Sequence, residues 1–174
     1  MLRNVELHYF SNPDPALQFA LLTDHLDARD DEPESSKQAL LDAACAGVVA
    51  LNLKHGVSGQ GPFHLLHRAA RWNPAEERFM GWERKRGKLE ELNRLLRGDL
   101  GTSYCRHVGD PRGLRDVRFV ITLDADTELP LEGAHRLIGA LAHPLNRAVF
   151  DERGRVIAGY TIIQPRVETA PSSL

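Results

Sequence analysis

Hydrophobic positions fall into short runs separated by longer stretches of helical period. Four runs stand out: Phe19–Thr23 (FALLT), Phe63–His67 (FHLLH), Phe119–Leu123 (FVITL) and Val156–Ile163 (VIAGYTII). Each is too short for a buried helix, so each predicts a strand. Between them, Lys37–Lys54 repeats Leu40, Ala44, Val48 and Leu51 on one stripe, Lys88–Arg97 repeats Leu89, Leu92 and Leu96, and Glu132–Ala142 repeats Leu137, Ile138 and Leu141. That spacing predicts three amphipathic helices. Gly56 and Gly98 follow the first two as C-terminal stops, and Pro144 follows the third.

Strands alternating with helices imply right-handed crossovers and a mainly parallel sheet with flanking helices, an α/β fold in a single domain, 1–174. In such sheets ligands sit beyond the carboxyl ends of the strands. Asp24 directly follows FALLT and Asp124 directly follows FVITL, so a parallel arrangement puts both acids at one rim. The acidic connection Asp27–Ser36 has few apolar residues and reads as a solvated loop.

The 174 residues, 42% hydrophobic and 26% charged, suffice for one domain with a sizeable core. A formal net charge of −2 gives no bulk reason to expect nucleic acid, so any phosphate site must be local. Cys45 and Cys105 show no ligand spacing, which supports neither a disulfide framework nor a zinc site and suits a reducing, cytosolic setting. No run of about 18 apolar residues occurs, and the first residues lack the pattern of a secretory signal, so the chain is expected to be soluble.

Three local features carry candidate chemistry. Asp124-Ala125-Asp126 places two carboxylates two residues apart at a predicted strand end, where they can bridge a hard cation to a diphosphate. A solvated turn that caps the next helix is the plain alternative. The run Trp82–Lys88 (WERKRGK) places Arg84, Lys85, Arg86 and Lys88 at a helix start, where the dipole disfavours cations. A bound diphosphate would offset that, as would pairing to Glu90 and Glu91. The segment Arg71–Trp82 holds two tryptophans, a phenylalanine and a methionine, enough to fill a core gap or to stack on sugar rings, with core filling expected of at least one. His64 and His67, on opposite faces of one strand, read as structural, and His25 borders the expected cleft.

Taken together, ELHYFSNPDPALQFALLTD, LLHRAARWNPAEERFMGWERKRGKLEELNRLLRG, VRFVITLDADTELPLEGAHRLIGALAHPLNR and GYTIIQPRV resemble the glycosyltransferase domain of cyclic β-1,2-glucan synthases. That domain is similar to the GT-A fold of processive inverting glycosyltransferases such as cellulose synthase. The resemblance implies UDP-glucose as donor, β-1,2-linked glucan as product, Mg²⁺ or Mn²⁺ as cofactor, and a parent protein whose glycosyltransferase domain lies at the cytoplasmic face of the bacterial inner membrane. It also implies that Asp24 lies near the uracil and ribose, that Lys88 lies under the nucleotide and its phosphates, that Asp124 faces the donor's sugar or ribose, and that Asp126, with Asp124, holds the metal; Arg84 and Lys85 join the expected donor-binding residues through the cationic helix start.

Where the chain departs from the family's pattern, it lacks the first strand, the general base and the Gln-x-x-Arg-Trp motif, for which Gln164-Pro165-Arg166 is no equivalent. The chain is therefore expected to be an inactive fragment of a larger enzyme, with no catalytic residue of its own. An open sheet edge invites self-association. Two other readings stay open: a non-catalytic module that binds a partner protein, and a phosphatase with an Asp nucleophile. The second needs a threonine where Glu128 stands.

Overall fold

The computed structural model describes residues 1–25, 27–28, 35–57 and 60–166, in two units, Met1–Val120 and Ile121–Leu174. In the first unit, helix α1 (Leu2–Ser11) leads to β1 (Phe19–Asp24), α2 (Ser35–His55), β2 (Phe63–Arg68), the short strands β3 (Arg71–Asn73) and β4 (Arg78–Met80), α3 (Arg84–Leu96) and β5 (Tyr104–Val108).

All six residues of β2 are buried, which makes it the centre of a three-stranded sheet in the order β1-β2-β5. β1 pairs with β2 in parallel, Phe19 opposite Phe63 through Asp24 opposite Arg68. This is the crossover expected of a strand, helix, strand sequence. β5 instead runs antiparallel to β2, with a bulge between His67 and Arg68. The sheet is thus mixed rather than mainly parallel, and YCRHV, which no apolar run marks, supplies its third strand.

The core lies on the face of the sheet covered by α1 and α2. Cys45, Val48, Phe63 and Leu65 form it, and Leu2, Val5 and Tyr9 of α1 close it from one side. Each fully buried large side chain contributes roughly 1.5–3 kcal/mol. Helix α2 spans its expected range, and Ala44, Val48 and Leu51 of the expected stripe meet the core together with Leu41 and Cys45, while Leu40 is 73% exposed. Helix α1 has no counterpart in the sequence reading. It is tied to α2 by Glu6, whose carboxylate meets Lys54 at 2.9 Å and His55 at 2.6 Å.

In the second unit, helix α4 (Gly133–Ala142) lies where the period placed it. β6 (Val149–Phe150) and β7 (Val156–Ala158) form a two-stranded antiparallel ribbon, so the last apolar run gives a short hairpin strand rather than a strand of the main sheet. The stretch Phe119–Leu123 is not a strand. Partly covered and exposed residues alternate along 117–122, as an extended segment would show, but no ladder is formed. A strand is defined by its partner, and apolar composition alone does not provide one.

Candidate functional site

The carboxyl end of β2 delivers an arginine into the interior. Arg68 is 0% exposed, and a buried guanidinium must find partners for its donors. It finds four: Nε donates to Asp24 Oδ1 at 2.7 Å, Nη1 to Glu91 Oε2 at 2.9 Å and to the Trp82 carbonyl at 3.0 Å, and Nη2 to the Arg84 carbonyl at 3.0 Å. The parallel register puts Asp24 directly opposite Arg68, and the second Asp24 oxygen meets Lys88 Nζ at 2.7 Å. One carboxylate is therefore held between two cations at the carboxyl ends of β1 and β2.

Glu91 completes the arrangement. It accepts from the Ser103 amide at 2.8 Å and from the Ser103 hydroxyl, while Tyr104 Oη donates to the Lys88 carbonyl at 2.8 Å. Burial pushes the Asp24 carboxyl up, but the bonds from Arg68 and Lys88 outweigh it and hold the group below its ordinary range. Glu91 behaves alike, with burial overcome by the Ser103 hydroxyl, Arg68 and the Ser103 amide. Gly81 leaves the space this needs, since a Cβ there would stand 2.6 Å from Arg68 Nη2 and 3.0 Å from the Asp24 carboxyl carbon.

On the neighbouring positions, Thr23 Oγ1 lies 2.9 Å from His67 Nδ1, and His67 Nε2 lies 3.0 Å from His25 Nε2. His64 reaches Gln18 at 2.9 Å and His107 at 3.2 Å. Burial lowers His64 to about 4, helped by His107 and opposed by Asp110. Burial likewise lowers His67 to about 4, helped by His25 and opposed by Asp24. Both histidines are thus satisfied core residues on opposite faces of β2, and His25 closes the cluster beside Asp24.

Helix α3 starts at Arg84, four residues earlier than the sequence period suggested, so Lys88 sits one turn inside the helix rather than at its start. The cationic run is offset within the protein, though by neither Glu90 nor Glu91, the latter being taken by Arg68. Arg84 pairs with Asp27 and Glu76, Arg86 with Glu83, and Lys88 with Asp24, while Lys85 is exposed. The aromatic segment Arg71–Trp82 contains the β3–β4 hairpin. Met80 fills the core, while Trp72 at 48% and Trp82 at 43% remain half exposed. Most of the acidic connection, residues 29–34, lies outside the described residues.

Asp124 and Asp126 belong to the second unit. They are exposed and flank Ala125 on a turn closed by the Thr127 amide donating to the Asp124 carbonyl at 3.0 Å. Neither caps α4, whose N-cap is Glu132. Among the described residues, no group of three or more His, Cys, Asp or Glu is gathered for a metal ion.

The structure brings Asp24 and Lys88 together and adds Arg68 and Ser103, which the sequence does not single out, and Glu91, which pairs with Arg68 and not with the cationic run. The available signal was Arg68 itself, a cation ending an apolar strand.

No family model matches the chain. It is 43% identical over 169 residues to the cyclic beta-(1,2)-glucan synthase NdvB of Rhizobium meliloti strain 1021. The alignment takes in 96% of this chain and 6% of that relative's length.

Proposed function

We propose that this chain forms the donor-binding part of an inverting glucosyltransferase that uses UDP-glucose to build β-1,2-linked glucan. The observation that carries the reading is Asp24 held between Arg68 and Lys88 at the carboxyl ends of a parallel strand pair, where α/β sheets bind nucleotides. The identity to a segment of a glucan synthase supplies the sugar and the linkage.

In this reading Asp24 accepts hydrogen bonds from the nucleoside, and Arg68 holds it in its rotamer. Lys88, with Lys85 on the same helix, presents positive charge to the diphosphate, and Arg84 joins them by exchanging its exposed pairs with Asp27 and Glu76 for the phosphate. Asp124 faces the donor's sugar or ribose.

Asp124 and Asp126 offer only carboxylate oxygen. That donor set fits Mg²⁺ or Mn²⁺, hard cations that take one or two carboxylates and keep other positions for water and phosphate. A bound cation would offset the charge that develops on the leaving diphosphate. No residue of this chain is assigned as the base that activates the acceptor hydroxyl.

Asp126→Ala in a full-length synthase carrying this segment is expected to lower glucan synthesis ~10²-fold or more. Activity within a few-fold of the parent would remove the metal-holding role. With the chain itself, calorimetry should show a heat for UDP-glucose that depends on Mn²⁺. A module that only binds a partner protein would give none.

A further inference from the structure

The opposite end of the parallel pair carries a second concavity. Where β1 and β2 begin, a cleft of about 710 Å³ opens between the end of α1 and the end of α2, within the usual size range of ligand sites. Tyr9, Phe10, Asp14, Gln18, Gln60 and Asp110 supply its aromatic and polar lining. Past Gln60 and Asp110 it continues into a hollow of about 350 Å³ walled by Val49, Leu53 and Val108. The two share their middle residues, so together they form an elongated groove.

The groove has a defined chemical character. Phe10 is 56% exposed, yet its ring is fixed by edge contacts to Tyr9 at 5.5 Å and to His55 at 5.2 Å. A large exposed ring already held in place is a stacking surface that costs little entropy to use. Gln18 is likewise anchored, its Oε1 2.9 Å from His64 Nε2, and its amide group keeps N–H donors. Asp14 and Asp110 bring carboxylates that are held in place, Asp14 by the Ala16 amide at 2.7 Å and Asp110 by the Arg112 guanidinium at 2.8 Å. No lysine or arginine lines either hollow. Arg112 offsets the charge of Asp110, so the wall carries no strong excess of either sign, and an aromatic platform beside amides and carboxylates suits the faces and hydroxyls of sugar rings.

We infer that this groove binds a stretch of neutral glucan, apart from the donor end. The inference rests on the glucan-building reading above for the identity of the sugar. Five residue steps of β1 at about 3.3 Å separate the two ends by on the order of 16 Å, so chain and donor would occupy opposite ends of one rigid strand pair. The groove acts as a holding site for product already made.

Titration of the isotopically labelled 174-residue chain with linear β-1,2-linked gluco-oligosaccharides, followed by NMR, tests this. Saturable shifts are expected at Phe10, Gln60 and Asp110, with binding weakened roughly tenfold in Phe10→Ala. Phe10→Trp, which keeps the platform, is expected to retain binding and guards against a folding defect. Absence of saturable shifts, or equal affinity in Phe10→Ala, overturns the inference. Binding of a proline-rich peptide in place of the oligosaccharides would overturn it too. The Mn²⁺-dependent heat of UDP-glucose, measured alongside, separates the two readings. Heat without oligosaccharide shifts removes only the groove, and shifts without heat remove only the donor site.

Discussion

Arg68 Nε and Asp24 Oδ1 meet at 2.7 Å across a parallel strand pair, and they join residues 44 apart in the chain. The pair is the hinge of the candidate site. Asp24 cannot turn without leaving a fully buried guanidinium short of a partner, so the orientation of its second oxygen toward Lys88 is set before any ligand arrives.

Replacing Arg68 by methionine should therefore be costly. It keeps the apolar stem but leaves Asp24 and Glu91 without their shared counter-charge, and breaking a buried pair in this way costs about 3–5 kcal/mol. Urea unfolding of Arg68→Met should show that loss, whereas Asp24→Asn, which preserves shape and one acceptor, should lose about 1–3 kcal/mol. Equal midpoints for Arg68→Met and the parent would show that the network contributes nothing to stability.

Gly81 offers an independent probe of the same packing. An added methyl would press on Arg68 Nη2 and on the Asp24 carboxyl, and overpacking of this kind costs about 1–3 kcal/mol. Gly81→Ala is expected to destabilise the first unit by that amount and to weaken UDP-glucose binding. A variant as stable as the parent with unchanged binding would mean that the pair has room to move.

Stability should fall in two stages as pH drops. His64 and His67 titrate near 4 in the fold against 6.5 when unfolded, so they favour the folded state fully above 6.5. Between 6.5 and about 4 the unfolded chain takes up protons that the fold refuses, and stability declines by on the order of 2 kcal/mol for each histidine. Asp24 and Glu91, both held below their ordinary values of 3.8 and 4.5, withdraw their contribution only as pH falls below that range. Denaturation midpoints from pH 8 to 5 should slope downward with acid, and the slope should flatten in His64→Gln. A flat profile would contradict the burial of neutral imidazoles.

In the second unit, Glu132 precedes α4 with φ of 57° and makes no side-chain cap bond. A left-handed backbone costs most residues about 1–2 kcal/mol, and asparagine tolerates it better while being able to cap the helix. Glu132→Asn is expected to raise the thermal midpoint of that unit. A lower midpoint would mean that the Glu132 side chain contributes contacts that outweigh the backbone strain.

Much of this structure is legible in the chain because it follows from local periodicity. FALLT and FHLLHR are strands, Lys37–Lys54 and Glu132–Ala142 lie within or on helices, and Asp24 stands at the carboxyl end of a parallel pair, as their spacing implies. These features depend on side chains within a turn or two of one another. FVITL is as apolar as either strand and forms none, whereas the polar YCRHV pairs with the central strand. Strand hydrogen bonds are made to a distant segment, which composition cannot name. The start of α3 moved for a similar reason: Arg84 is neutralised by Asp27 and Glu76, carboxylates 57 and 8 residues away, so the cationic first turn is tolerated.

The Asp-x-Asp turn was visible from its spacing and is present as a turn. The site around Asp24 was visible only in outline. The sequence by itself determined which acid ends the first sheet strand and that a cationic helix follows the central one. Only the tertiary structure decided that Arg68, buried at the end of β2, would take Asp24, Glu91 and two carbonyls as partners, because a buried charge is satisfied by whatever the fold brings within about 3 Å of it, at any separation along the chain.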